Sequence, residues 1–240
     1  MGEGTLRPEA VQPLLRGAFG RPYVWHETCP STQELARGMP EGGVAACDEQ
    51  TAGRGRRGRS WASPRGTGLL FSLSLHPATP PDRLPPLTLV VAEAVAEAAW
   101  PGAAVRWPND VVVDGRKLAG ILAEVRDGEV VVGIGVNANH EAGDLPADAR
   151  VAPTSLRLLS GAPVDRAALL ADILEAVEAH YRAFERDGFS GLARDDLRGR
   201  RVSLAGGAEG VCDGVDGLGR LVVAGTPHTA DEVLAVDVSR

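Results

Sequence analysis

Residues 53–61 read Gly-Arg-Gly-Arg-Arg-Gly-Arg-Ser-Trp, which sets four arginines among three glycines. A guanidinium is always charged and presents a planar fork of donors suited to carboxylate or phosphate oxygens. Interleaved glycines let the main chain bend and approach a ligand closely. Together they suggest a loop that closes over an anion and keeps water from a reactive group. The literal match to G-x-G-x-x-G is not a dinucleotide fingerprint, because Ser60-Trp-Ala-Ser-Pro64 stands where a helix would have to begin. No Gly-Lys-Ser/Thr follows either, which excludes a P-loop. A second centre is Lys117, the only lysine in the chain, placed just after an Asp114-Gly115 turn. Its ammonium is a compact charge that fits between two oxygens.

These residues need elements to hold them. Ser31-Thr-Gln-Glu34 matches a capping box, so a short helix is expected to run from Ser31 through Arg37. Val44 to Glu49 reads as a strand entering the glycine–arginine loop. Leu69, Phe71, Leu73 and Leu75 alternate with other residues as one face of a half-buried strand. Leu87 to Trp100 reads as a helix stopped by Pro101-Gly102. A meander follows: a strand at Val111–Val113, an Asp114-Gly115 turn, a strand at Lys117–Val125, an Asp127-Gly128 turn, and a strand at Glu129–Asn137. Asp165 caps a helix whose apolar stripe is Leu170, Ile173, Leu174, Val177, Tyr181 and Phe184, with Gly188 as its end. From about Arg198 the texture changes to short strands with glycine turns, the pattern of a small all-β barrel.

Composition narrows the partners. The chain has 240 residues, 44% apolar, and a formal net charge of -7, so the arginine run is a local device and not the rim of a broad nucleic-acid surface. No apolar run is long enough to span a membrane, and the N-terminus lacks the pattern of a signal peptide. A cytoplasmic protein is therefore expected. Cys29, Cys47 and Cys212 are odd in number and far apart in sequence, so they read as buried thiols and not as a disulfide framework or zinc pair. The five histidines show no ligand spacing, so no protein-built metal site is expected.

The chain resembles the biotin protein ligases. The resemblance rests on Ser31-Thr-Gln33, Gln50 to Trp61, Arg106-Trp-Pro-Asn-Asp110, Lys117-Leu-Ala-Gly-Ile-Leu-Ala-Glu124 and Gly133-Ile-Gly-Val-Asn137, in that order and spacing. It implies an ATP-dependent ligase that forms biotinyl-5′-AMP and passes biotin to a lysine of a biotin carboxyl carrier domain. Two anions must then be neutralised by fixed cations before they react. On this resemblance Lys117, Asp110, Arg54 and Arg56 are catalytic. Asp110 is a candidate to orient or deprotonate the incoming amine, or to touch phosphate-bound Mg²⁺ through water. Biotin would meet Ser31, Thr32, Gln50, Arg54, Arg56, Lys117 and Gly120. The nucleotide would meet Arg56, Arg57, Trp61, Asn109, Asp110, Lys117 and Asn137, with Mg²⁺ held mainly by ATP phosphates. Leu118, Gly120 and Leu122 are expected on one face as the pocket floor, with Lys117 and Ala119 on the other. Trp61 either stacks on adenine or is a core aromatic. Arg106 stands where the family commonly has lysine, and Gln33 where asparagine is usual.

The expected fold is α/β: a mixed sheet with helices mainly on one face at 1–194, then a small SH3-like barrel at 195–240. With no room for a winged-helix domain, the chain reads as the short, ligase-only form that does not bind DNA. The loop region or a sheet edge could support a homodimer, which no feature of the sequence fixes. The rivals are a lipoate ligase or octanoyltransferase on the same fold, a protein that binds biotin without turnover, and a DNA-binding regulator.

Overall fold

The computed structural model describes residues 4–233 and 235–238. Seven strands make the main sheet: β1 (Tyr23–Cys29), β2 (Val44–Gln50), β3 (Leu69–Leu75), β4 (Ala104–Arg106), β5 (Asp110–Val113), β6 (Arg116–Arg126) and β7 (Glu129–Val136), in the order β1-β2-β3-β7-β6-β5-β4. β1 and β2 are parallel and the remaining pairs antiparallel, so the sheet is mixed. The β5–β6 and β6–β7 turns take positive φ at both central residues, 49° and 74° at Asp114-Gly115 and 52° and 85° at Asp127-Gly128. That is the type I′ geometry matching strand twist, and Asp-Gly is a sequence that adopts it.

Among the described residues five α-helices flank the sheets: α1 (Pro8–Val11), α2 (Thr32–Ala36), α3 (Leu87–Ala99), α4 (Leu156–Ser160) and α5 (Arg166–Asp187). α5 starts at Asp165, whose carboxylate accepts from Ala167 N at 2.8 Å and Ala168 N at 3.3 Å. Its apolar stripe is buried against α3 and the Leu69, Phe71, Leu73 and Leu75 face of β3. Each such side chain contributes roughly 1.5–3 kcal/mol on burial. The opposite face of β3 is also buried, because α2 covers it: Leu35 packs on Leu70, and Thr32 Oγ1 lies 2.7 Å from Ser72 Oγ. Cys29 and Cys47, distant in sequence, meet in this smaller cluster as free thiols. Each thiol perturbs the other, which lowers the Cys29 pKa and raises that of Cys47.

The C-terminal strands correct an expectation. β8 (Arg201–Leu204), β9 (Glu209–Val215), β10 (Leu221–Val223), β11 (Thr226–His228) and β12 (Val236–Val238) form a second sheet in the order β11-β10-β9-β8-β12. Among the described residues it is an open sheet and not the SH3-like barrel expected. Closure would require β11 and β12 to pair. Each has three residues, and the middle one of β11 is Pro227, which has no N–H for a further ladder. This sheet is anchored to the first one. Val105 N donates to Arg194 O at 2.6 Å and Asp196 N to Val105 O at 3.0 Å, covering the β4 edge. Trp107 Nε1 donates to Gly219 O at 3.0 Å.

Candidate active site

Glycines pave the helix-poor face of the main sheet. Gly120 of β6 pairs directly with Gly135 of β7, and Leu122 with Gly133. Trp61 lies over this floor. A methyl group at Gly135 would stand 2.5 Å from its Cε2, and one at Gly120 would stand 2.9 Å from its Cζ3. Gln33 covers Gly133 and donates from Nε2 to Leu122 O at 2.9 Å.

Lys117 reaches the same face through a bulge. Val111 pairs with Ala119 but Val112 with Lys117, so Leu118 is an extra residue in β6. Side chains alternate along a regular strand, and Lys117 and Gly120 would then point to opposite sides. With the extra residue they share one side: the Gly120 Cβ position is 3.3 Å from Lys117 Nζ. The expected floor of Leu118, Gly120 and Leu122 is thus corrected. Gly120 and Leu122 line the cavity beside Lys117, while Leu118 is fully buried. The Lys117 main chain is held by Ala152 and Thr154, each at 2.8 Å, and its ammonium pairs with Asp110 Oδ1 at 2.7 Å. Lys117 Nζ also stands 5.3 Å from the Trp61 ring centroid, within cation–π reach.

Ser31, Thr32 and Gln50 form the polar wall. Gln50 Oε1 accepts from Thr32 N at 2.8 Å and Thr32 Oγ1 at 3.1 Å. The first amide of α2 is therefore satisfied by Gln50, and the Ser31 hydroxyl, expected to cap α2, makes no capping bond. It borders the cavity instead.

The glycine–arginine loop roofs the cavity as a short hairpin. Trp61 N donates to Gly53 O at 2.9 Å and Gly55 N to Arg59 O at 2.7 Å. Gly53 has no space for a side chain, since a Cβ there would fall 2.3 Å from Trp61 O. Arg54 Nη1 reaches Glu124 Oε1 at 3.4 Å, and Arg37 holds the other oxygen of that carboxylate at 3.2 Å. Arg56 borders this cavity, a second that adjoins at Lys117, and a third lined by Thr88, Trp107 and Asp231 among others. Burial and the neighbouring Arg57 and Arg59 cations push its pKa down, although a guanidinium remains charged at neutral pH.

A second cavity adjoins at Lys117. It is lined by Arg56, Arg57, Arg59, Arg106, Arg150 and Lys117 against only Asp110 and Asp148. The first cavity is glycine-floored and carries Arg54, Arg56, Arg59 and Lys117, with no carboxylate among the described residues of its wall; the second holds still more cations, and Lys117 lines both. Expected residues Ser31, Thr32, Gln50, Arg54, Arg56, Trp61, Asn109, Lys117 and Gly120 all line the first. Asp110 and Arg57 line the second. Asn137 is buried away from both, donating to Thr154 O at 3.0 Å and Lys117 O at 3.4 Å. It supports the Lys117 backbone from behind. Arg106 places Nε 2.6 Å from Asp196 and Nη1 3.3 Å from Gly115 O, a forked contact that a lysine could not make.

Sequence reasoning did not single out Gly133, Gly135, Arg59 or the 148–151 segment as site residues. Two glycines spaced i, i+2 within a Val/Ile strand were the available signal for the floor. Arg150 had no local signal.

A sequence model of the Biotin/lipoate A/B protein ligase family matches residues 25–140. The Biotin--[acetyl-CoA-carboxylase] ligase of Paracoccus denitrificans is 35% identical over 214 residues, covering 80% of this chain and 88% of that protein. The Bifunctional ligase/repressor BirA of Bacillus subtilis is 38% identical over 186 residues, 72% of this chain. The match spans 57% of that longer relative's length. The biotin protein ligase from Aquifex aeolicus in complex with biotin and ATP superposes with a TM-score of 0.80 at 27% identity, covering 90% of this chain and 98% of that one. The chain belongs to the biotin protein ligase family. No helix among the described residues is long and apolar enough to cross a membrane.

Proposed function

We propose that the protein activates biotin with ATP to biotinyl-5′-AMP, releasing pyrophosphate, and transfers the biotinyl group to a lysine of a biotin carboxyl carrier domain, releasing AMP. The observation that carries this reading is the pair of joined cavities with Lys117 lining both. The hydroxyl and amide wall of Ser31, Thr32 and Gln50 supplies donors and acceptors for a ureido ring. Gly120, Leu122 and Trp61 supply apolar surface for the thiophane ring and chain, which directs the biotin carboxylate toward Lys117. The cationic cavity suits a triphosphate.

In the first step a biotin carboxylate oxygen attacks the α-phosphorus and the bond to pyrophosphate breaks. Lys117 faces the oxygens on which charge develops, and Arg54 and Arg56 reduce repulsion between the two anions. Asp110 holds the ammonium in place at 2.7 Å. In the second step the carrier amine attacks the biotinyl carbonyl, the bond to AMP breaks, and Asp110 orients that amine or takes its proton. Asn109 stiffens this corner, its Nδ2 donating to Ile121 O at 3.0 Å. Mg²⁺, a hard cation preferring oxygen ligands, would be held by the nucleotide phosphates, with Asp110 and Asp148 as the nearby carboxylates, and would neutralise phosphate charge. A cytoplasmic setting would supply both ATP and a carboxylase carrier.

The test is intact-mass measurement of a carrier domain incubated with the protein, MgATP and biotin, beside reactions with lipoate or octanoate. An ATP-dependent biotin-sized gain on one lysine is the expected result. Transfer of lipoate or octanoate alone would move the protein to the neighbouring acyltransferases.

A further inference from the structure

Arg57 differs from the other loop arginines in backbone and in partners. Its φ is 58°, a left-handed conformation that a residue with a side chain adopts only at a cost. Its Nη2 lies within hydrogen-bond distance of three main-chain carbonyl oxygens: Ala230 at 3.1 Å, Asp231 at 3.0 Å and Val233 at 3.1 Å. Arg56 Nη2 adds a contact to Ala230 O at 3.1 Å. These carbonyls belong to the connection between β11 and β12, more than 170 residues along the chain. The β9–β10 turn of the same second sheet accepts from Trp107 Nε1 at Gly219 O, and Asp196, in the connection leading into that sheet, pairs with Arg106. The roof of the cavity and the strand carrying Asp110 are therefore tied to one common support.

We infer that Arg57 is a positioning residue that couples the C-terminal sheet to the glycine–arginine loop and so holds Arg56 over both cavities. Its Nη2 is already engaged by these carbonyls. Carbonyl oxygens suit a cation, and their convergence accounts for the left-handed backbone at Arg57. The consequence for chemistry rests on the proposed ligase reading: a tethered loop keeps the adenylate from water between the two steps, and a released one does not.

The experiment compares the full chain with Arg57→Ala and Arg57→Lys, first without ligands. Trypsin cleavage after the remaining loop arginines is expected to quicken about tenfold in Arg57→Ala, with thermal midpoint nearly unchanged, because local opening becomes easier. Arg57→Lys should recover part of the protection, since an ammonium also donates to carbonyls. With biotin and ATP, loss of preformed adenylate in the absence of carrier should quicken about fivefold, while KM for ATP stays within about twofold. Unchanged cleavage in Arg57→Ala overturns the inference. So does a KM for ATP raised about tenfold with adenylate lifetime unchanged, which would make Arg57 a nucleotide ligand. If the wild-type protein forms no adenylate, the ligase reading fails, and the ligand-free cleavage ratio still decides the tether.

Discussion

Replacing Gly135 with alanine tests the floor of the cavity directly. The added methyl carbon would stand 2.5 Å from Trp61 Cε2 and 2.8 Å from both Cζ2 and Nε1. Unstrained carbon contacts lie at about 3.5–4.0 Å, so the ring has to retreat by about 1 Å. It cannot retreat freely, because the Trp61 amide is bonded to Gly53 O at 2.9 Å. Overpacking of this kind costs about 1–3 kcal/mol. If the ring moves into the cavity, that cost appears in biotin binding as roughly a 5- to 150-fold rise in Kd. If the strand yields instead, it appears as a lower Tm, by about 2–4 °C per kcal/mol for a chain of this size. Graded controls separate the two. Gly120→Ala meets Trp61 at 2.9 Å and Lys117 Nζ at 3.3 Å and should be intermediate. Gly133→Ala meets the Gln33 side chain at 3.1 Å, which its bond to Leu122 O holds in place, and should be milder than Gly135→Ala. Gly143→Ala meets nothing within 4 Å and should be silent. Biotin titration calorimetry with scanning calorimetry reads both quantities. A Gly135→Ala protein with wild-type Kd and Tm, or a Gly143→Ala protein equally impaired, would refute the packing argument.

Lys117→Ala should abolish adenylate formation while melting near wild type; turnover within about tenfold of wild type, measured by pyrophosphate release, would remove its assigned role. Arg106→Ala should cost about 3 kcal/mol in thermal unfolding, because Asp196, 5% exposed, keeps only Arg200 at 3.2 Å. Arg106→Lys should recover only part of that loss. Burial holds the His140 pKa below its ordinary value of 6.5, so the unfolded chain binds more protons in that range. This contribution to stability is complete above about pH 6.5 and is lost as pH falls toward the lowered folded pKa. His140→Gln should flatten that part of the Tm–pH curve, and an unchanged acid limb would count against it.

Local chemistry carried the most legible features. Asp114-Gly115 and Asp127-Gly128 specify their turns by φ alone, and the α5 stripe declares its buried side by period. Features set by distant pairing were not legible. Whether the last sheet closes depends on β11 meeting β12, which no short-range pattern encodes. Ser31 looks like a cap, yet its hydroxyl makes no capping bond and borders the cavity, while Gln50 of β2 holds the neighbouring Thr32 amide. The glycine floor appears only once β6 and β7 are in register, and Lys117 joins it only through the unpaired Leu118. The residue types of the candidate site were readable from the sequence; their common orientation depended on one extra residue in a ladder.

That extra residue links reactivity to strand alignment. A one-residue slip of β5 on β6 would leave composition and net charge unchanged while removing the bulge that turns the ammonium into the cavity. Such a chain would keep its strands yet be silent. Enzymatic turnover would then report hairpin register more sharply than circular dichroism, and a chain trapped in the wrong alignment during folding would betray itself by the fraction of molecules that never react.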